Sequence, residues 1–162
     1  MIVNRIRQFF SYVVANMNSE DKKYVKKYLN VAEITLFNKL SIHEQKHSVN
    51  VARDVEEECK LNFIDSNDLI KAALLHDIGK IKVHTNLIDK SIIVILDKIT
   101  KGKIKKFSSI KSIYIYYNHG YIGYCLIKEL ENDEVLFLVK NHDNKIGNDL
   151  KLNILQKCDD KN

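Results

Sequence analysis

The stretch AALLHDIGK, residues 72–80, is apolar up to a histidine and an aspartate and then reaches a glycine. Ser66 lies a few residues upstream and is a candidate N-cap for a helix. Because that helix is apolar on nearly all sides, we expect it to lie at the centre of the fold. Gly79 is expected to end it. The stretch therefore predicts a buried helix that carries His76 and Asp77 at its C-terminal end.

His76 and Asp77 are expected at a depth where a bare charge is expensive to bury, so both need polar partners. A divalent metal ion would satisfy a histidine and a carboxylate together. Because neighbouring side chains on a helix point about 100° apart, the two can share an ion only where the helix ends. A hydrogen bond within the buried pair is the alternative, and these two residues alone do not separate the possibilities.

The pattern along the whole chain is helical. Proline is absent, glycine numbers only five among 162 residues, and the Asn-Gly and Asp-Gly signals of tight hairpins are missing. We predict an all-α protein with a single domain over residues 1–162, since no repeat, linker or boundary is visible. Residues 110–117 are ambiguous because β-branched and aromatic side chains dominate them. Besides the central helix, the predicted helices cover residues 2–16, 19–29, 32–40, 42–60, 87–100, 120–130, 134–141 and 149–158.

The charge balance and the cysteines limit the class of protein. Lysine and arginine total 26 and aspartate and glutamate total 21, a net charge of +5, which suits an anionic ligand. Without a dense basic stripe among aromatics, it does not predict nucleic-acid binding. Three widely spaced cysteines argue against disulfides and a CxxC zinc site and favour a reducing cytoplasm. Since no signal peptide or run of about 20 apolar residues is visible, we expect a cytoplasmic protein that does not bind membranes.

Two further histidines lie on apolar helix faces. His47 begins a stripe at steps of four residues that continues through Val51 and Val55, so it lies at the edge of a buried face. His142 continues the apolar face of the helix predicted over residues 134–141. A single histidine on such a face is more often a satisfied core residue than a metal ligand. The recurrence of the pattern favours ligands.

The remaining candidates lie in the second half of the chain. His119 precedes Gly120 at the predicted start of a helix. Near the C-terminal end, Asp159 lies four residues beyond the inward-facing Leu155, whereas Asp160 falls on the polar side of the same helix. Periodicity therefore selects Asp159 as the buried carboxylate.

Along the chain these residues have the order H…HD…H…H…D. In this order and in its motifs the sequence resembles the HD-domain superfamily of metal-dependent phosphohydrolases, and within it the HDIG subset. AALLHDIGK is the most specific stretch, and its position downstream of an HS-x-x-VA helix strengthens the likeness. The resemblance covers about residues 40–160. We expect residues 41–162 to form the core and residues 1–40 to be an extension of extra N-terminal helices. The other matching stretches are HSVNVA at 47–52, HGYIG at 119–123, VKNHD at 139–143 and LQKCDDKN at 155–162.

The resemblance implies a bundle of at least five core helices, with metal ligands converging from separate helices. It also implies one or two divalent transition-metal ions, with Asp77 shared between them. Imidazole and carboxylate ligands without cysteine suit iron, manganese, cobalt, nickel or zinc. The first ion would be held by His47, His76, Asp77 and Asp159, and the second by Asp77, His119 and His142.

The resemblance implies a reaction as well. A metal-bound hydroxide would attack a phosphate ester or anhydride, with a nucleotide as the favoured small-molecule substrate, and Asp77 would act through both ions. Lys80 would bind the substrate phosphate and stabilise charge in the transition state. Many relatives carry an arginine where this chain has Asn50, which leaves that substrate contact open. The signatures of relatives that hydrolyse cyclic di-GMP or guanosine tetraphosphate are missing.

Other functions stay open at this point. The pocket could bind or sense a nucleotide without turnover, although every ligand type of the superfamily is present. A basic helical domain that binds nucleic acid would rest on the net charge alone. We expect the basic loop 101–106 to be a solvated charge run and Cys158 to be a packing residue. The first helix is expected to pack on the bundle or on a second subunit, so a homo-oligomer is left open.

Overall fold

The computed structural model describes residues 16–82, 93–97, 99–144 and 147–162, and every regular element within them is helical, which confirms the all-α prediction. No helix in these segments is long and apolar enough to cross a membrane. Apart from residue 16, the helix predicted over residues 2–16 lies outside the described residues. Of the helix predicted over 87–100, positions 87–92 and 98 lie outside them, and positions 93–97 and 99 are helical. The α-helices are α1 (Ser19–Tyr28), α2 (Val31–Phe37), α3 (Ile42–Asn62), α4 (Asn67–Leu75), α5 (Lys111–Ile127), α6 (Asp133–Asn141) and α7 (Leu150–Lys161), and 3-10 helices span Ile78–Lys82 and Lys103–Phe107.

The helices α1, α2 and α3 begin with the same reciprocal cap. The side-chain oxygen of the N-cap residue accepts the backbone N–H three residues on, and the carboxylate of that later residue accepts the N–H of the N-cap. These contacts fix where each helix starts, and therefore which of its faces is buried. The pairs are Asn18 with Asp21, Asn30 with Glu33, and Ser41 with Glu44.

Helix α4 is the buried centre of the bundle, as predicted. Leu69, Ile70 and residues 72–75 are fully buried, and α4 packs against α1, α3, α6 and α7. Ser66 is the N-cap, but its side chain makes no capping hydrogen bond. The helix ends at Leu75, so the HD pair lies where the backbone leaves the helix.

Gly79 has a different role from the one predicted. The 3-10 helix Ile78–Lys82 follows the HD pair, and the backbone at Gly79 is not in the left-handed region that a terminating glycine would adopt. A Cβ atom at Gly79 would lie 2.0 Å from the backbone oxygen of His119 and 2.9 Å from the backbone nitrogen of Gly123. Gly79 therefore allows this turn to lie directly against α5, which brings the HD pair close to His119.

Helix α5 is longer than predicted. The ambiguous residues 110–117 are helical from Lys111 onward and continue without a break through His119 and Gly120. The prediction that a new helix starts at Gly120 was therefore wrong. β-branched and aromatic side chains disfavour a helix only weakly, and here Ile113 packs with Ile104 and Ile93 in a small second cluster. Tertiary packing outweighs local propensity in this segment.

We expect Gly79→Ala to lower the free energy of unfolding by roughly 2–3 kcal/mol, because the new methyl group would push the HD turn away from the α5 backbone. Chemical denaturation followed by circular dichroism measures the change. Gly102→Asn is the control, because a Cβ atom at Gly102 would have no neighbouring atom within 4 Å and asparagine tolerates its φ of +82°. Equal losses in the two variants would contradict the close-approach role.

A buried charge cluster joins α2, α4 and the loop after α5. Lys71 Nζ lies 3.3 Å from Glu33 Oε1 and 3.3 Å from Glu131 Oε1, so one ammonium faces two carboxyl groups. Burial, together with the hydrogen bond and charge of Glu33, raises the pKa of Glu131 to about 8, although Lys71 opposes the shift. One of the two carboxyl groups therefore holds a proton near neutral pH.

This cluster predicts a pH dependence of stability. In the unfolded chain Glu131 ionises near its ordinary pKa of 4.5, whereas in the folded protein it keeps its proton to about pH 8. The folded state thus binds more protons between these values, so its stability falls as pH rises through them. We expect the free energy of unfolding of Glu131→Gln to exceed that of the parent by roughly 1–2 kcal/mol at pH 8, and the two proteins to differ less at pH 5. Glu129→Gln, at an exposed neighbour, should show no such difference, and a pH-independent gain would contradict the assignment.

Candidate metal centre

The six residues predicted as metal ligands meet at one place in the fold. His47 lies on the first turns of α3, His76 and Asp77 lie at the end of α4, and His119 lies in the middle of α5. His142 caps the end of α6, and Asp159 lies in the last turns of α7. The structure thus brings all six together around the C-terminal end of the central helix.

One half of the site is formed by α3, α4 and α7. His47 Nε2 lies 2.8 Å from Asp159 Oδ1, and His76 Nε2 lies 3.5 Å from the same oxygen. One ligand atom from each residue falls within 4.8 Å of the other two. Asp159 faces the cluster because α7 extends to Lys161, three residues past the predicted end. We refer to His47, His76 and Asp159 as the first half.

The second half of the site is formed by α5 and α6. His119 Nε2 and His142 Nε2 lie 3.0 Å apart, and Asp77 Oδ1 lies 3.4 Å from the former and 3.9 Å from the latter. The other oxygen of Asp77, Oδ2, lies 3.5 Å from His76 Nε2 in the first half. The Asp77 carboxylate therefore presents one oxygen to each half, as a bridging ligand does.

Backbone contacts fix the tautomers of three of the histidines. In each, the Nδ1–H donates to the backbone carbonyl three residues earlier, and a carbonyl can only accept. In the neutral rings Nε2 therefore carries the lone pair, and it points into the cluster. The donor–acceptor pairs are His76 with Ala73 at 2.8 Å, His119 with Tyr116 at 3.0 Å, and His142 with Val139 at 2.8 Å.

These atoms fit a cation. Two Nε2 lone pairs that face each other at 3.0 Å, those of His119 and His142, repel unless a proton or a metal ion lies between or beside them. His76 Nε2 is fully buried and has no hydrogen-bond partner within the described segments. Imidazole nitrogens together with carboxylate oxygens form the donor set of first-row transition metals. The residues present therefore suit a divalent transition-metal ion.

Without a metal ion, protons on the histidines compensate the negative charge of the carboxylates in the cluster. Burial alone would lower the pKa of His76, but the carboxylates of Asp77 and Asp159 more than reverse this and raise it to about 9. Burial likewise opposes ionisation of both carboxyl groups, yet the neighbouring cationic side chains hold their pKa values well below the ordinary range. By contrast, burial lowers the pKa of His142 to about 4. The cluster thus concentrates negative charge that protonated imidazoles compensate.

Lys80 lies beside the shared carboxylate. Its Nζ is 2.6 Å from Asp77 Oδ1, and its side chain is 30% exposed. Burial would lower the pKa of Lys80, but Asp77 raises it above its ordinary value, so the ammonium stays charged at neutral pH. The predicted role of Lys80, contact with a substrate phosphate, stays a prediction.

One residue at the site was missed by sequence reasoning. Asp143 Oδ2 lies 2.8 Å from His119 Nε2 and 3.4 Å from His142 Nε2. The signal was present in VKNHD, where an acid follows the predicted ligand directly, but helix periodicity does not apply beyond the end of α6. Cys158, which directly precedes Asp159 in α7, is buried in the hydrophobic core and serves as packing, as predicted.

A model of the family described as HD domain matches residues 45–160. The chain belongs to the HD-domain family. The match runs from α3 to the last turn of α7 and so includes every residue of the candidate metal centre. Comparisons with curated proteins and with solved structures give no match. HD domains form a superfamily of metal-dependent phosphohydrolases, whereas membership of the HDIG subset stays a prediction.

The HD site predicts that metal ions stabilise the fold. We expect Mn²⁺ at about 1,000 times its Kd to raise the Tm of the metal-free protein by about 10 °C, because it binds only the assembled cluster. Asp159→Asn should reduce this shift strongly. Asp160→Asn, which changes the adjacent acid on the outer face, should leave it unchanged. Equal shifts in both variants, measured by scanning calorimetry, would contradict the assignment of Asp159.

Proposed function

We propose that this HD-domain chain is a metal-dependent phosphohydrolase that cleaves a phosphate ester or anhydride, with a nucleotide as the favoured substrate. One observation supports the proposal above others. The buried carboxylate of Asp77 faces the imidazole of His76 with one oxygen, and with the other it faces two imidazoles and the ammonium of Lys80. This is an arrangement that can hold two cations and a phosphate together.

The chain's own residues would divide the work as follows. His47, His76 and Asp159 would hold one ion, His119 and His142 would hold the other, and Asp77 would fix the spacing between the two. Two ions held in this way supply Lewis acidity toward phosphoryl oxygens and generate a nucleophile at neutral pH. The backbone carbonyls behind His76, His119 and His142 keep these rings in the ligating tautomer.

Lys80 would bind the substrate phosphate. Its ammonium pairs with Asp77 Oδ1, the same oxygen that faces His119 and His142. A cation held by that oxygen would weaken its attraction for the ammonium, which would leave Lys80 able to pair with a substrate anion. Because Lys80 is partly exposed, it can reach a substrate without burying an unpaired charge. A cation at this point stabilises the charge that develops on phosphoryl oxygens.

The nucleotide preference has separate support. A net charge of +5 favours a substrate with several phosphates, and the order H…HD…H…H…D resembles that of small HD hydrolases of dinucleoside polyphosphates. The expected cytoplasmic location is consistent with such a substrate. A binding module that holds a nucleotide without turnover is the competing function, and measurement of product release separates the two.

The Mn²⁺-loaded protein should release phosphate from at least one member of a panel of mono- and polyphosphorylated nucleotides. Asp77→Ala is expected to lose both the metal and the activity, because Asp77 contacts both halves of the site. Lys80→Met should keep the metal and lose roughly 100-fold in kcat/KM, as expected for one donor to a developing oxyanion. Phosphate release and elemental analysis measure the two properties on the same samples.

Lys82→Met is the matched control, since Lys82 lies two residues on in the same 3-10 helix and is exposed. It should behave as the parent does. Full activity and full metal content in Asp77→Ala would refute the proposed function. Tight nucleotide binding by the metal-loaded parent, without any product after long incubation, would instead support the binding module.

A further inference from the structure

The two halves of the HD site are unequal if only the predicted ligands are counted. The first half has two imidazoles and a carboxylate of its own, from His47, His76 and Asp159. The second half has the imidazoles of His119 and His142 and otherwise depends on Asp77, which the first half shares. An ion in the second half would therefore have one ligand fewer and less negative charge around it.

Asp143 supplies what the second half lacks. Its Oδ2 lies 2.8 Å from His119 Nε2 and 3.4 Å from His142 Nε2, and one ligand atom from each of the three residues lies within 4.8 Å of the others. Both rings direct their lone pairs to this point, because their Nδ1–H groups donate to backbone carbonyls. The three donors thus surround a common volume, as the three donors of the first half do.

The loop that carries Asp143 is held in place from α7. Gln156 donates from Nε2 to the backbone oxygen of His142 at 2.9 Å and to that of Asn144 at 2.8 Å, one on each side of Asp143. The N–H of Asn144 also donates to the backbone oxygen of Asn141, which turns the chain tightly at this point. The backbone at Asp143 is therefore held from α7, which places this residue beside His119 and His142, although its side chain is 51% exposed.

We propose that Asp143 is a ligand of the second metal ion, so that each half of the site has two imidazoles and one carboxylate of its own, with Asp77 between them. This inference rests on the proposed function, since it requires the metal centre. Two imidazoles and one carboxylate leave open positions on a divalent ion for further ligands. Three carboxylates against two divalent ions leave a net positive charge, which favours an anionic substrate.

A measurement of metal content distinguishes the ligand role of Asp143 from a simpler role as a hydrogen-bond partner. In the absence of metal, Asp143 can serve simply as the hydrogen-bond partner of a protonated His119, at 2.8 Å. In that role its removal would leave metal stoichiometry unchanged. As a ligand, its removal should cost the second ion selectively, because the first half does not contact it. Metal content therefore separates the two roles without reference to catalysis.

The test uses metal-free full-length protein dialysed against a series of Mn²⁺ concentrations, followed by elemental analysis and electron paramagnetic resonance. The parent should bind two ions per chain with a spectrum of an exchange-coupled pair. Asp143→Asn should bind the first ion as the parent does, bind the second at least about tenfold more weakly, and show a single-ion spectrum when one equivalent is bound. Far-ultraviolet circular dichroism checks that the helices are retained.

Asp149→Asn is the matched control, because it removes the same charge from the same connection between α6 and α7. Asp149 is exposed and is the N-cap of α7, and asparagine keeps the capping oxygen. This variant should bind two ions as the parent does.

The outcomes distinguish the inference from the proposed function. Two ions bound to Asp143→Asn with the parent's affinities would overturn the ligand role of Asp143 and leave the phosphohydrolase proposal standing. Loss of both ions from Asp143→Asn with intact helices would overturn the selective role as well. A parent that binds no metal at all would overturn the proposed function, and the inference with it.

Discussion

The structure depends on one buried carboxylate that faces two sets of imidazoles. Asp77 is nearly inaccessible to solvent, and one of its oxygens lies near His76 while the other lies near His119 and His142. Such a group is tolerated at this depth only when cationic partners compensate its charge. Helix α4 places it there by ending at Leu75, inside the bundle instead of at its surface. The burial of the apolar residues of α4 therefore determines where the polar residues that follow it, His76 and Asp77, are placed.

The surrounding helices contribute to this arrangement through close backbone approach. Gly79 lets the turn after the HD pair touch the backbone of α5, and Gly120 does the same between α5 and α6, where an added Cβ would lie 2.8 Å from the backbone oxygen of Lys140. The backbone oxygen of His119 faces Gly79, and the next residue is Gly120, so His119 is placed by the packing of backbone against backbone. Such positions have little freedom to adjust, which is what a metal centre requires, because its ligands must be held close to their final geometry before the ion binds.

Much of this could be predicted from the sequence, and the exceptions have physical causes. The apolar run of α4, the stripe that begins at His47 and the inward face that selects Asp159 all repeat with the period of a helix, so the pattern alone locates them. His119 could not be placed correctly, because the residues before it favour strands locally and become helical through contacts that are distant in sequence. Asp143 lies in a turn, whose backbone is held by two hydrogen bonds from Gln156 on another helix, so helix periodicity does not locate it. Helix periodicity in the sequence thus locates the site residues that lie on regular helix faces. Site residues in turns, such as Asp143, are located only by the three-dimensional structure.

The distribution of the ligands over the chain links metal binding to folding. The first half joins α3, α4 and α7, the second joins α5 and α6, and Asp77 joins the halves to each other. A cluster of carboxylates and histidines assembled from separate helices does not exist in the unfolded chain, so the binding free energy of any ion held there would add to the stability of the fold. Without ions, the same cluster must be neutralised by protons on His76 and His119, whose pKa values are both raised to about 9. Metal binding would therefore exchange protons for cations at the centre of the bundle, and the stability of the fold would rise with the occupancy of the site.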